Sequence, residues 1–359
     1  MINVTEPFLP PIEEYQSYIE SIWERNWLTN NGPLVTEFEQ KLINYLDVSN
    51  VSFVANGTIA LQLAIKALAV SGEVITTPFS YVATTSSLVW EDCSPVFVDI
   101  DKKSLNINPD LIESAITSKT SAILATHVYG NPCDIEAIQS IADKHNLKVI
   151  YDAAHCFGTQ YKNKSVFEYG DISITSFHAT KLFHTIEGGA VFTKDAELLK
   201  KVNYLRNFGH DGPDRYNGVG INGKNSEMHA AMGLVNLKYA DAILAKRKAD
   251  YLSYHNELKG NGLQEIKINE QAKFNYAYYP IIFKDEEQCL AVLEALKVQD
   301  IHARRYFYPL LSDLDYVNSK ELPIAQSISS RVLCLPIYYQ LNRQDIRAIT
   351  RTINQIISA

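Results

Sequence analysis

The stretch Val51-Ser52-Phe53-Val54-Ala55-Asn56-Gly57-Thr58, which runs into a helical pattern with Ile59, Leu61, Leu63, Ile65 and Leu68, decides the fold. A mostly apolar strand without strict alternation passes through a short polar turn into a helix, as a strand covered on both faces does when it leaves a sheet. The unit recurs. Candidate strands follow at Val74–Thr77, Val96–Asp99, Ser121–Thr126, Lys148–Tyr151, Ile172–Ser176 and Ala190–Thr193. Helical segments lie between them: Thr58–Val70, and Asp134–Asn146 with Asp134 as N-cap. Alternation this regular predicts an α/β fold with a mostly parallel sheet in three layers, α/β/α.

Outside this region the pattern changes. Asn207–Asn225 holds five glycines among aspartates and asparagines and reads as a long loop, of the kind that is usually functional or mobile. A helical pattern from Ser226 to about Leu258 predicts one long helix bridging two domains. Residues 260–359 carry fewer strand signals, end in a helix over Arg343–Ile357 and have the size of a smaller α+β domain. The predicted division is therefore a large domain over 1–245 and a small one over 246–359, as expected for a 359-residue chain.

A formal net charge of −8 argues against a nucleic-acid partner, which needs a basic stripe for the phosphate backbone. Cys93, Cys133, Cys156, Cys289 and Cys334 are odd in number, widely spaced and without a CxxC pair, which predicts free thiols rather than disulfides or a metal site. The N-terminus lacks the basic start and apolar core of a signal peptide, and no uncharged apolar run approaches the ~20 residues of a membrane span. A soluble, cytoplasmic protein without a membrane partner is expected.

Three segments place polar groups at strand ends, the edge of an α/β sheet where ligands bind. In Ala55-Asn56-Gly57-Thr58 a glycine lets backbone approach a ligand and a helix N-terminus offers free N–H groups, which suit a phosphate. A plain turn with Thr58 as N-cap explains the same residues. Asp152, in Tyr151-Asp152-Ala153-Ala154-His155, could pair with a protonated pyridine nitrogen and keep such a ring an electron sink; it could equally be a helix cap. Lys181, in Ser176-Phe177-His178-Ala179-Thr180-Lys181 ahead of Glu187-Gly188-Gly189, is placed to form a Schiff base, although a single lysine is more often a solvated charge. Together the segments change the balance. An aspartate after one strand, a lysine 29 residues later after the next and a Gly-Thr turn upstream supply the contacts that pyridoxal phosphate (PLP) requires.

These segments resemble the motifs of the DegT/DnrJ/EryC1/StrS sugar aminotransferases, which are fold-type-I PLP enzymes. The resemblance runs end to end, through Asn30-Asn31-Gly32-Pro33, Gly220-Ile221-Asn222, Arg304 with Tyr308-Pro309, and Leu335-Pro336-Ile337. It implies that Lys181 bonds the cofactor and then moves the proton, and that Asp152 pairs with the pyridine nitrogen. Gly57, Thr58 and Ser176 would hold the phosphate. Tyr81 would stack on the ring, with Phe79 as the alternative aromatic, and His155 would lie near the ring or its phenolic oxygen. Asn222 would reach the phosphate of the partner's cofactor in a homodimer with shared active sites. His178 would line the sugar pocket, unless it is a structural histidine, and Arg304 and Tyr308 would join that pocket. Ile186 departs from the pattern, because the family often has glycine before the Glu-Gly-Gly.

The resemblance further implies transfer of the amino group of L-glutamate to a nucleotide-linked keto sugar. His178-Ala179-Thr180-Lys181 with Glu187-Gly188-Gly189 looks like the branch acting at C4. That branch makes dTDP-4-amino-4,6-dideoxy-D-glucose from dTDP-4-keto-6-deoxy-D-glucose for surface polysaccharides such as O-antigen in lipopolysaccharide. Two competing expectations are a C3 aminotransferase of the same family and a PLP-binding regulatory protein without turnover. A dehydratase branch that replaces the lysine with histidine is disfavoured by Lys181.

Overall fold

The computed structural model describes residues 1–318 and 320–358. Its centre is a seven-stranded sheet of β1 (Val51–Val54), β2 (Gly72–Thr76), β3 (Cys93–Phe97), β4 (Thr120–Thr126), β5 (Lys148–Asp152), β6 (Ile172–Ser176) and β7 (Gly189–Phe192). The strand order is β1-β7-β6-β5-β4-β2-β3, and every pairing is parallel except the two made by β7. The expected strands are all present, shifted by at most three residues at an end.

Neighbouring residues of one strand point into different cores. Ile123 and Ala125 of β4 pack with Val149 and Tyr151 on one face, while Ala122 and Leu124 pack with Ile150 and Ile174 on the other. All eight are buried, so β4 and β5 show no polar face over these residues, whereas in β6 Ser173 and Thr175 alternate with Ile172 and Ile174 and are buried all the same. Helices cover both faces, giving the expected three layers of a fold-type-I PLP aminotransferase.

The helix expected over Ser226–Leu258 is two helices, Glu227–Leu237 and Ala240–Leu258. Neither glycine nor proline marks the break at Lys238-Tyr239. Tertiary contacts hold the chain on both sides of it: the buried Asn236 donates to the carbonyl of His184 at 2.9 Å, and the Tyr239 hydroxyl bonds to Glu14. The C-terminal part pairs Tyr279–Ile282 antiparallel with Val332–Leu335 beneath the helices Glu286–Val298 and Arg343–Ile357. Ile2 and Asn3 pair in parallel with Ile301 and His302, which ties the first residues to this part of the chain. No helix among the described residues is long and apolar enough to cross a membrane. All five cysteines are buried free thiols.

Candidate active site

The carboxyl ends of β1, β4, β5 and β6 open onto one cleft of about 420 Å³. The cleft brings together most of the residues singled out from the sequence: Gly57, Thr58, Tyr81, Asp152, His155, Ser176, His178, Lys181 and Arg304. Asp152 is the last residue of β5, and Ser176 is the last of β6. Lys181 follows five residues beyond, in a loop tied back by a bond from its own N–H to the His178 carbonyl.

At the end of β1 the helix Gly57–Ala67 is capped by Asn56, whose side chain accepts from the Ile59 N–H at 2.8 Å. The expected cap, Thr58, lies instead in the first helical turn and is exposed at the cleft. The cap sits two residues earlier because Asn56 holds the extended backbone that a capping residue needs. A Cβ on Gly57 would stand 3.0 Å from the Ser176 Cβ, so the glycine lets the turn lie close to β6 without crowding it. The buried Asn225 fastens the turn from the other side, donating to the carbonyls of Val54 at 3.2 Å and Glu187 at 3.0 Å.

Asp152 is buried, and its carboxylate accepts from Thr84 Oγ1 at 2.7 Å and from the Ala154 N–H at 3.1 Å. Burial pushes its pKa up, and these two donors and the Lys181 charge oppose that. Loss of water around the partly exposed Lys181 lowers its ammonium to about 8, against the pull of Asp152. Burial, with a smaller effect of Lys181, holds His155 well below its ordinary value and therefore neutral. The His155 ring lies parallel to Phe307 and against Tyr278, and its Nδ1 is buried without a hydrogen-bond partner.

Three expected residues need separate placing. Arg304 lines the cleft with its guanidinium 4.9 Å from the Tyr306 ring centre, whereas Arg305 turns away to Glu286 at 2.7 Å. Tyr308 is not among the lining residues; it is exposed, under the Arg305 guanidinium. Asn222 also lies outside this cleft, and its side chain accepts from Lys224 at 2.9 Å.

Sequence reasoning missed Ser80, Thr126, Glu187, Tyr278, Tyr306 and Phe307 as cleft residues. Thr126 was findable, since it ends β4 opposite Asp152 in register. Tyr278, Tyr306 and Phe307 arrive from the C-terminal part of the chain; Tyr306 and Phe307 lie between Arg304 and Tyr308, whereas Tyr278 stands beside none of the segments singled out.

The chain belongs to the DegT/DnrJ/EryC1/StrS aminotransferase family, which it matches over residues 11–354. It is 46% identical to the dTDP-4-amino-4,6-dideoxy-D-glucose transaminase of Shigella dysenteriae, with 99% of each chain covered. It is 44% identical to the transaminase of the same name from Escherichia coli, covering 98% of this chain and 97% of that one. Among solved structures, that of DesI in the presence of its TDP-sugar product superposes with a TM-score of 0.94 at 32% identity, covering 99% of this chain and 93% of the other.

This family uses PLP, and the residues present fit that cofactor. The glycine cradle against Ser176, the helix N-terminus beside it, the unpartnered Nδ1 of His155 and a lysine of lowered pKa near a buried aspartate converge on one cleft. The protein is thus a PLP-dependent sugar aminotransferase.

Proposed function

We propose that this enzyme transfers the amino group of L-glutamate to the C4 keto group of a nucleotide-linked 6-deoxy sugar, converting dTDP-4-keto-6-deoxy-D-glucose to dTDP-4-amino-4,6-dideoxy-D-glucose. The observation that carries the reading is the convergence of Lys181, Asp152 and the Gly57–Ser176 cradle on a single cleft. The acceptor rests on the 46% and 44% identical transaminases, matched over nearly their whole length.

Bound PLP supplies an electron-withdrawing ring beside the carbon whose proton is moved. The protein does the rest. Asn56, Gly57, Thr58 and Ser176 hold the phosphate at the helix N-terminus, where the N–H groups and the helix dipole favour an anion. With PLP bound, Asp152 would keep the ring nitrogen protonated, Tyr81 would stack on the ring, and the unpartnered Nδ1 of His155 would be available to it. Lys181 Nζ, whose pKa of about 8 leaves a useful share of free amine near neutrality, takes the proton from one carbon and returns it to the other. His178 and Arg304 orient the sugar and its phosphates from the cleft wall.

In this reading the enzyme is a cytoplasmic homodimer. Asn222, which does not line its own cleft, reaches the cofactor phosphate of the partner, and the chain divides near residue 245 into a cofactor-binding domain and a smaller one. The product serves a surface polysaccharide.

The test is an absorbance spectrum of the PLP-loaded protein before and after L-glutamate. The visible band of the lysine-bound cofactor is expected to disappear with glutamate and to be missing from Lys181→Ala. A band that glutamate leaves unchanged would remove the donor from the proposal.

A further inference from the structure

Behind Asp152 lies a row of hydroxyl groups. Thr84 is fully buried and is not among the cleft residues, yet it makes the shorter of the two hydrogen bonds to the carboxylate. Its Oγ1 is also 2.7 Å from the hydroxyl of Ser80, and Ser80 in turn receives the hydroxyl of Thr126 at 3.0 Å. Thr126 stands opposite Asp152 in the pairing of β4 with β5, so the bonds loop from one strand end to the next through the start of the helix Val82–Trp90.

We propose that Thr126, Ser80 and Thr84 form a one-way chain of hydroxyl hydrogen bonds ending on Asp152, in which Thr84 is a positioning residue that holds the carboxylate ionised and fixed for the ring nitrogen of the cofactor. This rests on the assignment of Asp152 to that nitrogen.

The direction follows from counting hydrogens. Each hydroxyl has one. A carboxylate accepts only, so Thr84 spends its hydrogen on Asp152 and must accept from Ser80. Ser80, having given its hydrogen to Thr84, accepts from Thr126. Every link then points the same way and ends on Asp152 Oδ2, and because this bond is stronger to the carboxylate than to the neutral carboxyl it favours the ionised form.

All four side chains are buried, where such bonds are stronger than in water and a misdirected one is costly. The titratable groups facing Asp152 are Lys181, which favours the anion, His155, which burial keeps neutral, and Cys156, whose thiol burial holds protonated. Among the described residues, the hydroxyl chain and the Ala154 N–H are the directional donors to Asp152. The same helix start carries Tyr81 as its N-cap residue, so one turn of backbone sets both the ring-covering tyrosine and the support of the aspartate.

The test is PLP binding to cofactor-free protein by equilibrium dialysis across pH, for the wild type, Thr84→Val, Thr84→Ser, Ser80→Ala, Asp152→Asn and the Thr84→Val/Asp152→Asn double variant. Thr84→Val is expected to weaken binding about tenfold near neutrality, the loss of one hydrogen bond to a charged group. The fall of affinity with acid should move to higher pH, because removing a donor raises the pKa of the carboxylate. Thr84→Ser should restore both, and the double variant should bind no worse than Asp152→Asn alone.

Thr84→Val binding as wild type, with an unmoved pH profile, would overturn the proposal. So would a double variant clearly weaker than Asp152→Asn, since the effect would then bypass Asp152. If Thr84→Val fails to fold, Ser80→Ala carries the test, with a smaller shift of the profile expected in the same direction and no shift overturning it. Asp152→Asn binding as tightly as wild type would overturn the assignment of Asp152 itself, and the chain's role with it.

Discussion

A Cβ placed on Gly189 would stand 2.5 Å from the carbonyl carbon of Asn56 and 2.8 Å from the nitrogen of Gly57. The strand returning from the lysine loop therefore meets the phosphate turn backbone to backbone, with no room for a methyl group. Gly189→Ala should push the turn away from Ser176. It is expected to lower stability by about 1–3 kcal/mol, as overpacking a close contact does, and to weaken PLP binding. Urea unfolding and a PLP titration check both.

Ile186 sits three residues earlier with φ of 70°, a region that β-branched residues rarely occupy, and its side chain is 40% exposed. Non-glycine residues in left-handed backbone cost of order 1–3 kcal/mol, against about 0.5–1 kcal/mol of added chain entropy for glycine. Ile186→Gly is accordingly expected to raise stability by about 1 kcal/mol, seen as a higher urea midpoint with an unchanged slope. An equal or lower midpoint would show that the isoleucine side chain repays the strain through contacts of its own.

The lowered pKa of Lys181 gives a pH signature. In cofactor-free protein the folded state holds this proton less tightly than the unfolded state, so the group destabilises the fold wherever the lysine of the unfolded chain is charged. The penalty is complete below about 8, shrinks as pH rises towards the ordinary value of 10.5, and is absent above it. Lys181→Met should therefore be more stable than wild type at pH 7, with the difference closing between about pH 8 and 10.5. Melting curves across that range measure it.

Glu227 is fully buried, and its carboxylate accepts from the N–H groups of Leu34 at 2.9 Å and Val35 at 3.0 Å, at the start of the helix Pro33–Leu46. Arg25 lies 3.7 Å away. Removing the carboxylate leaves two buried donors without partners. Glu227→Ala is expected to cost about 2–4 kcal/mol and Glu227→Gln, which keeps one acceptor oxygen, about half as much. Thermal unfolding of the two variants provides the comparison.

Glu227 also marks where sequence reading ends. The strand and turn at 51–58, Asp152, Ser176 and Lys181 were legible because each lies within a few residues of the strand end that positions it. Glu227 acts on a helix 193 residues away, and nothing local distinguishes it from a solvated first-turn glutamate. The helix break at Lys238-Tyr239 has the same character, being held by His184 and Glu14 from elsewhere in the chain. Thr84 was hidden for a different reason. A buried threonine in a helix is ordinary, and only the fold reveals that its hydroxyl meets Asp152. Ile186 was visible as a departure from the family's pattern, and its positive φ supplies the physical reason why glycine is common at that position.

Amination at C4 is read out by incubating the PLP-loaded protein with L-glutamate and dTDP-4-keto-6-deoxy-D-glucose and locating the new amine by NMR. 2-Oxoglutarate and an amino sugar are expected in equal amounts, with the nitrogen on C4, and no product from Lys181→Ala. An amine at C3 obtained with the corresponding 3-keto sugar and none at C4, or product formed at full rate without Lys181, would contradict it.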